Sequence, residues 1–323
     1  MTRKSRACLK FFCIFDAYFL LYFYSMILII GEILFDIFSD YKRLGGAPFN
    51  FSFHLKNLGM PVRFITRVGN DIDGKEISTY LQKNGFEISD LQIDPDHASG
   101  RVLIELDNLG MPEFNILPNA AYDHISFDDS IKSLINEKVG LIYFGSLIQR
   151  SKNGHRTLQK LLSQKKINTK CFYDVNLRPK CYTKAIVIES LEHSDILKLN
   201  EEELIEIKDM FEFQGDEHNF IRFLIQKYSF DMIAVTRGSR GSSLYIDDNE
   251  YTIELSDTKD IIDTVGAGDA FSAILAIGYL KGWEPNTILS VASTFALQIC
   301  KIKGAVPSDI NFYRDISTMI TKI

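Results

Sequence analysis

Met26-Ile27-Leu28-Ile29-Ile30-Gly31 constrains this chain most, because an unbroken apolar run closed by a glycine has no polar face to offer water. Such a strand has to be covered on both sides, which points to the interior of a parallel sheet flanked by helices. Short runs of the same kind recur at 62–66, 141–144, 171–174, 196–199 and 232–236. Between and after them stand helical patterns at 48–58, 71–84, 154–166, 216–228, 268–281 and 286–300. That alternation predicts an α/β fold with a mostly parallel sheet covered by helices. Two segments, 32–44 and 99–116, depart from it and read as extended, exposed strands. Arg101-Val102-Leu103-Ile104-Glu105-Leu106 alternates in polarity, and Asn108-Leu109-Gly110 offers a turn.

A chain of 323 residues, 46% hydrophobic and 24% charged, suffices for one large α/β domain with a small appendage. No repeat, low-complexity stretch or linker divides it. The formal charge of −6 comes without a basic stripe, so no nucleic-acid partner is expected and any phosphate recognition has to be local. Cysteines 8, 13, 171, 181 and 300 form no Cys-x-x-Cys pair, and their odd number fits reduced thiols and a cytoplasmic protein. The six histidines lack metal-ligand spacing, and His54 reads as a packed or surface residue.

Chemistry is carried by Asp263-Thr264-Val265-Gly266-Ala267-Gly268-Asp269-Ala270-Phe271, a turn that opens directly onto a helical run. Gly266 and Gly268 let backbone amides approach an anion, and the helix start adds unpaired N–H groups. A carboxylate there repels phosphate unless it has its own task, and accepting a proton from an attacking hydroxyl is such a task. Alone, the fragment is equally well a common turn with a helix-start charge. Upstream, Gly45-Gly46-Ala47-Pro48-Phe49-Asn50 joins a diglycine turn to a helix that opens on Pro48 and closes before Gly59.

In this order the two stretches closely resemble the C-terminal and N-terminal signatures of the PfkB, or ribokinase-like, family of small-molecule kinases, the second in its fructokinase-type spelling. The resemblance implies a ribokinase-like three-layer α/β/α sandwich spanning 26–323, with 32–44 and 99–116 as a small β lid over a sugar. It implies ATP as phosphoryl donor, Mg²⁺, and in many relatives a monovalent cation such as K⁺. Asp269 would be the base, with the amides of Gly266, Ala267 and Gly268 stabilising the transferred group. Asp36, Gly45, Gly46, Asn50 and Asp269 would hold the sugar.

Further fragments fit the same pattern. Arg178, in Asp174-Val175-Asn176-Leu177-Arg178, would hold phosphate oxygens or a substrate group at the end of a buried strand, where open α/β sheets bind ligands. Asn200 and Glu203, similar to the family's Asn-x-x-Glu motif, would organise Mg²⁺ mainly through its waters; locally they read equally well as a capped acidic helix start. Thr236, Gly238 and Gly241 would lie beside the nucleotide with Asn200 and Gly268, although a plain β-hairpin accounts for that turn too. Asp263, with Lys301 to Pro307, corresponds to the segment that surrounds the monovalent cation in relatives.

Basic residues followed by the apolar run 11–30 admit a signal or anchor, but the resemblance needs Met26–Gly31 as a strand delivering Asp36, so 1–25 reads as an extension and no membrane is expected. The Gly-Gly-Ala-Pro spelling favours fructose. Phe49 departs from the smaller residue usual there, and a bulky ring beside Asn50 would narrow or reshape the pocket, which leaves ribose, a keto-sugar acid or a nucleoside open. A dinucleotide oxidoreductase is disfavoured by Phe271 at the third glycine position. A P-loop kinase is excluded by the lack of Gly-x-x-x-x-Gly-Lys-Ser/Thr. A silent sugar or nucleotide sensor on the same fold is the remaining rival. Monomer and homodimer are equally open.

Overall fold

The structure, a computed structural model, describes residues 26–106, 112–255 and 260–323. The extension at 1–25 and the turn at Asn108–Gly110 lie outside the described residues. In chain order, β1 (Met26–Ile30) leads to β2 (Leu34–Ile37), β3 (Lys42–Gly45), α1 (Ala47–Asn57), β4 (Val62–Gly69), α2 (Ile72–Lys83) and β5 (Leu91–Asp94). Then come β6 (Gly100–Leu106), β7 (Pro112–Ile116), α3 (Asp129–Asn136), β8 (Val139–Gly145), α4 (Lys152–Ser163), β9 (Lys170–Asp174), α5 (Lys184–Glu192) and β10 (Ile196–Asn200). The rest comprises α6 (Glu201–Met210), α7 (Glu217–Tyr228), β11 (Met232–Thr236), β12 (Ser242–Ile246), β13 (Asn249–Ile253), α8 (Ala267–Lys281), α9 (Pro285–Ile299) and α10 (Arg314–Lys322).

Nine strands form one sheet in the order β13-β12-β11-β10-β9-β8-β1-β4-β5, with the last two strands of the chain antiparallel and the other pairings parallel. β1 sits deep in it, Ile27 opposite Val62 on one side and Leu141 on the other. Alternation along β1 divides the core: Ile27 and Ile29 join one hydrophobic cluster, Leu28 and Ile30 the other. The first cluster holds apolar residues of α1, α2, α8, α9 and α10, the second those of α3 to α7. This is the ribokinase-like α/β/α arrangement expected from the sequence.

The helices start where the sequence allows. Asp71 accepts a hydrogen bond from the Gly74 amide at 2.7 Å and caps α2, and α1 opens on Pro48 after Gly46, whose φ of 111° is closed to most side chains. Helix α8 packs against both α1 and α9 and is buried on nearly every side, which explains its apolar, weakly amphipathic sequence.

The lid is a separate four-stranded sheet, β3-β2-β6-β7. Its base is tied to α2 by Asp73, which accepts from Lys42 at 2.8 Å and Arg101 at 2.7 Å. Helices α3, α5, α6 and α10 and strands β5 and β13 add to what the sequence patterns predict.

Candidate active site

Both signatures meet at the start of α8. Gly266 adopts φ 81° and is wedged against the 300–305 loop: a Cβ on it would lie 2.3 Å from the Ala305 Cβ. The turn places Asp269 in the first helical turn, buried, with its Oδ2 accepting from the Asn50 side-chain Nδ2 of α1 at 2.8 Å. The amides of Gly266 and Gly268 make no hydrogen bond among the described residues, leaving them to an incoming anion. Ala267, expected to act with them, donates to the Thr264 carbonyl at 3.3 Å, a long bond that closes the turn.

Burial pushes the Asp269 carboxyl up to about 7, helped by the nearby charge of Asp174 and opposed by the Asn50 hydrogen bond, Lys198 and Arg178. Asp174, at the end of β9, is held by Lys198 at 3.1 Å, Tyr143 at 3.1 Å and Ser272 at 2.8 Å. Lys198 is buried in β10, and a Cβ on Gly268 would come within 3.1 Å of its ammonium. Glycine at 268 therefore leaves room for that cation beside the amides. Lys198 went unnoticed in the sequence, where a lysine amid Leu197 and Leu199 of an apolar strand was the available signal.

On the sugar side, Gly45 and Gly46 owe their small size to their neighbours. A Cβ on Gly45 would lie 3.0 Å from the Asp36 carboxylate, and one on Gly46 would lie 2.7 Å from the Glu32 carbonyl. Asp36 is half-buried on β2, its carboxyl pushed up by burial against the charges of Arg43 and Arg178. Glu32 is a further residue the sequence did not single out. Burial raises its carboxyl to about 7, and its Oε2, like the Asn50 Oδ1, has no partner among the described residues. Arg178 is exposed, yet its charge acts on Glu32, Asp36 and Asp269 together.

Phe49 corrects an expectation. It is fully buried against Phe53, Phe64 and Tyr80, with ring centroids 5.8, 6.4 and 6.0 Å away, so it belongs to the core beneath α1 and does not narrow the space beside Asn50. Adjacent residues on a helix point about 100° apart, which lets Asn50 face the site while Phe49 turns inward. His54 is packed as expected, bonded to the Tyr313 hydroxyl at 2.9 Å and pushed down to about 3 by burial.

The residues expected beside the nucleotide stand at the ends of β10 and β11. Asn200 and Glu203 form a reciprocal cap: the Asn200 Oδ1 accepts from the Glu203 amide, and the Glu203 Oε2 from the Asn200 amide, both at 2.8 Å. The other Glu203 oxygen accepts from the Leu177 amide at 3.0 Å. Thr236 ends β11, Gly238 faces open space at φ 56°, and Gly241 at φ 98° leaves no room for a Cβ against the Ile253 carbonyl. The hairpin of β11 and β12 is thus present, with its turn at the same end of the sheet as Asn200. Asp263 is engaged by the Val265 and Gly304 amides, both at 3.0 Å, and by Arg43 at 3.1 Å.

The profile of the pfkB family carbohydrate kinases matches residues 31–311, so the chain belongs to that family of phosphotransferases, which act on an alcohol group. An uncharacterized sugar kinase of Pyrococcus horikoshii is 29% identical over 276 residues, covering 80% of this chain and 84% of its own. Its crystal structure superposes with a TM-score of 0.78 over 92% of this chain and 99% of that one at 25% identity, and it has also been solved with ATP. A 5-dehydro-2-deoxygluconokinase of Bacillus licheniformis is 24% identical over 79% of this chain and 80% of its own. A Vibrio cholerae fructokinase, solved with fructose, ADP and potassium ion, has a TM-score of 0.73 at 22% identity over 90% of this chain and 98% of that one. Among the described residues no helix is long and apolar enough to cross a membrane.

Proposed function

We propose that this carbohydrate kinase transfers the γ-phosphoryl group of ATP to a hydroxyl of a small sugar, with fructose as the first candidate. The observation that carries the reading is Asp269, buried beside Asn50 and next to the free amides of Gly266 and Gly268. The acceptor hydroxyl bonds to phosphorus as the bond to the ADP oxygen breaks, and its proton passes to Asp269. A carboxylate raised to about 7 suits that task better than an ordinary one, because it holds a proton near neutral pH and still ionises. Gly266 and Gly268 would donate to the equatorial oxygens of the moving group, and the Lys198 charge beside Gly268 adds to their field.

The sugar would lie between the lid and α1. Asp36, Glu32 and Asn50 offer acceptors to its hydroxyls, and the lid strands β2 and β3 restrict water, which otherwise competes as acceptor. Thr236, Gly238 and Gly241 would support the nucleotide. Mg²⁺ would be held through its waters by Asn200 and Glu203, whose oxygens already accept amides and retain second lone pairs, and it supplies neutralisation of phosphate charge.

Fructose is favoured by the fructokinase-type spelling around Gly45 and by the inward position of Phe49, which removes the reason for a narrowed pocket. The test is ATP consumption by the purified chain against fructose, ribose, 5-dehydro-2-deoxygluconate, 2-keto-3-deoxygluconate and adenosine, with the product identified by mass. Fructose is expected to give the highest kcat/KM. Preference for another acceptor corrects the substrate, and ligand binding without any phosphorylated product supports a sensor instead.

A further inference from the structure

Asp263 lies three residues before Gly266, and its carboxylate gathers the catalytic turn. Its Oδ1 accepts from the Val265 amide within the turn, and its Oδ2 accepts from the Gly304 amide across the gap. The Cys300 carbonyl accepts from the amides of Ile262 and Asp263 at 2.8 and 3.2 Å, pinning the two loops together. Here, at the segment that the resemblance marks for a monovalent cation, the lid delivers a side chain. Arg43 of β3 donates from Nη1 to the Asp263 Oδ2 at 3.1 Å, and its stem packs where a Cβ of Gly304 would stand, 2.8 Å from the Arg43 Cδ.

The guanidinium is seated rather than loose. Both partners are about one-fifth exposed, and Arg43 lies over the Phe38 ring, which stacks on Tyr41 at 4.3 Å. Lys303 covers the other aromatic, 4.4 Å from the Tyr41 centroid. The Arg43 cation therefore already faces this corner, and an added monovalent ion next to the Asp263 oxygen would meet its repulsion.

We infer that Arg43 is a tethered substitute for the monovalent cation: a positioning residue that fixes Asp263, and through it the Val265–Gly268 turn, without K⁺. Arginine suits the role because its charge is permanent and its fork directional. The inference rests on the kinase reading for its activity arm only.

The experiment compares the full chain with Arg43→Met in KCl and in tetramethylammonium chloride at equal ionic strength, reading thermal midpoint, ADP binding by calorimetry, and sugar-dependent turnover. For the unaltered chain, all three are expected to agree between salts within about twofold or the error of the melt. Arg43→Met is expected to lose about tenfold in kcat in tetramethylammonium, the scale of a slightly misplaced catalytic turn, and to recover part of it in KCl together with a higher midpoint. Arg43→Lys, which keeps a charge and a similar stem, covers the case in which the methionine variant does not fold, and is expected to remain indifferent to K⁺. Severalfold activation or stabilisation of the unaltered chain by K⁺, or an Arg43→Met enzyme fully active without it, overturns the proposal. If no sugar is turned over in either salt, the substrate reading fails, while the melting and ADP-binding arms still decide the role of Arg43.

Discussion

The side of the site proposed for the sugar and the side proposed for the nucleotide are built on opposite principles. Around the sugar, polar groups are buried and left wanting: Glu32 Oε2 and Asn50 Oδ1 have no partner among the described residues, and the carboxyls of Glu32 and Asp269 are both pushed up to about 7. At the ends of β10 and β11, proposed to face the nucleotide, the protein satisfies itself. Asn200 and Glu203 cap each other, and Arg237 donates to Ser243 at 2.8 Å and also to Glu217. An unsatisfied buried polar atom costs about 1–3 kcal/mol, so the pocket expected to take the sugar holds its strain until hydroxyl groups arrive, while the ends of β10 and β11 are finished before a ligand binds. Discrimination should therefore reside in the first half and scaffolding in the second.

The largest effect expected is at Asp269. Asp269→Asn should fold and lose about two to four decades of kcat, the range of general-base catalysis. In the unaltered enzyme kcat/KM should fall about tenfold per pH unit below the carboxyl's value of about 7. Stability should move the other way. A carboxyl whose folded value lies above its unfolded value binds more protons in the native state between those values, so stability declines as pH rises from about 4 to about 7 and stays reduced above. The asparagine variant lacks that penalty, and at pH 8 its melting midpoint should exceed that of the unaltered chain by about 2–4 °C. Equal or lower stability at pH 8 would remove burial of charge as the cause.

Next in size is Glu32→Gln, which keeps shape but removes the acidic acceptor. Losing a hydrogen bond to a charged group predicts a fall in kcat/KM for the sugar of about ten- to a hundredfold, with the ATP KM unchanged, as initial-rate kinetics would report. If ATP affinity falls instead, the division between halves breaks down. Smallest is Asn200→Ala, which should lower stability by about 1 kcal/mol through loss of the helix cap, measurable by urea unfolding, and leave the sugar KM as it was. A shift in sugar specificity from that change would also break the comparison.

What the sequence disclosed divides along similar lines. The parallel strands and long helices were legible because their cores repeat locally: Met26–Ile30 is apolar without interruption, the run 196–199 is broken only by Lys198, and α8 is apolar over 273–278. The turns at Gly46 and Gly266 were legible because their positive φ and close backbone neighbours suit glycine. Arg43 and Glu32 were not, since their meaning lies in partners brought together by the fold; Arg43 and Asp263 are 220 residues apart. Phe49 misled because a residue beside a binding asparagine looks like pocket until the helix turn assigns it to the core. Helix α6 was legible only at its start, where Asn200 and Glu201-Glu202-Glu203 read as a capped acidic first turn. Strand β13 has no buried residue, and its alternation runs only from Glu250 to Ile253, too short to stand out.

The wedge between Gly266 and Ala305 has an implication for the helices between them. Helices α8 and α9 leave from one of these residues and return to the other, so the whole hairpin starts and finishes at a single point of contact. Its length works as a ruler. Any insertion, deletion or sliding of one helix along the other would be felt as a displaced gauge mark at the turn before Asp269, which ties the length of a largely apolar helix pair to the geometry at its foot.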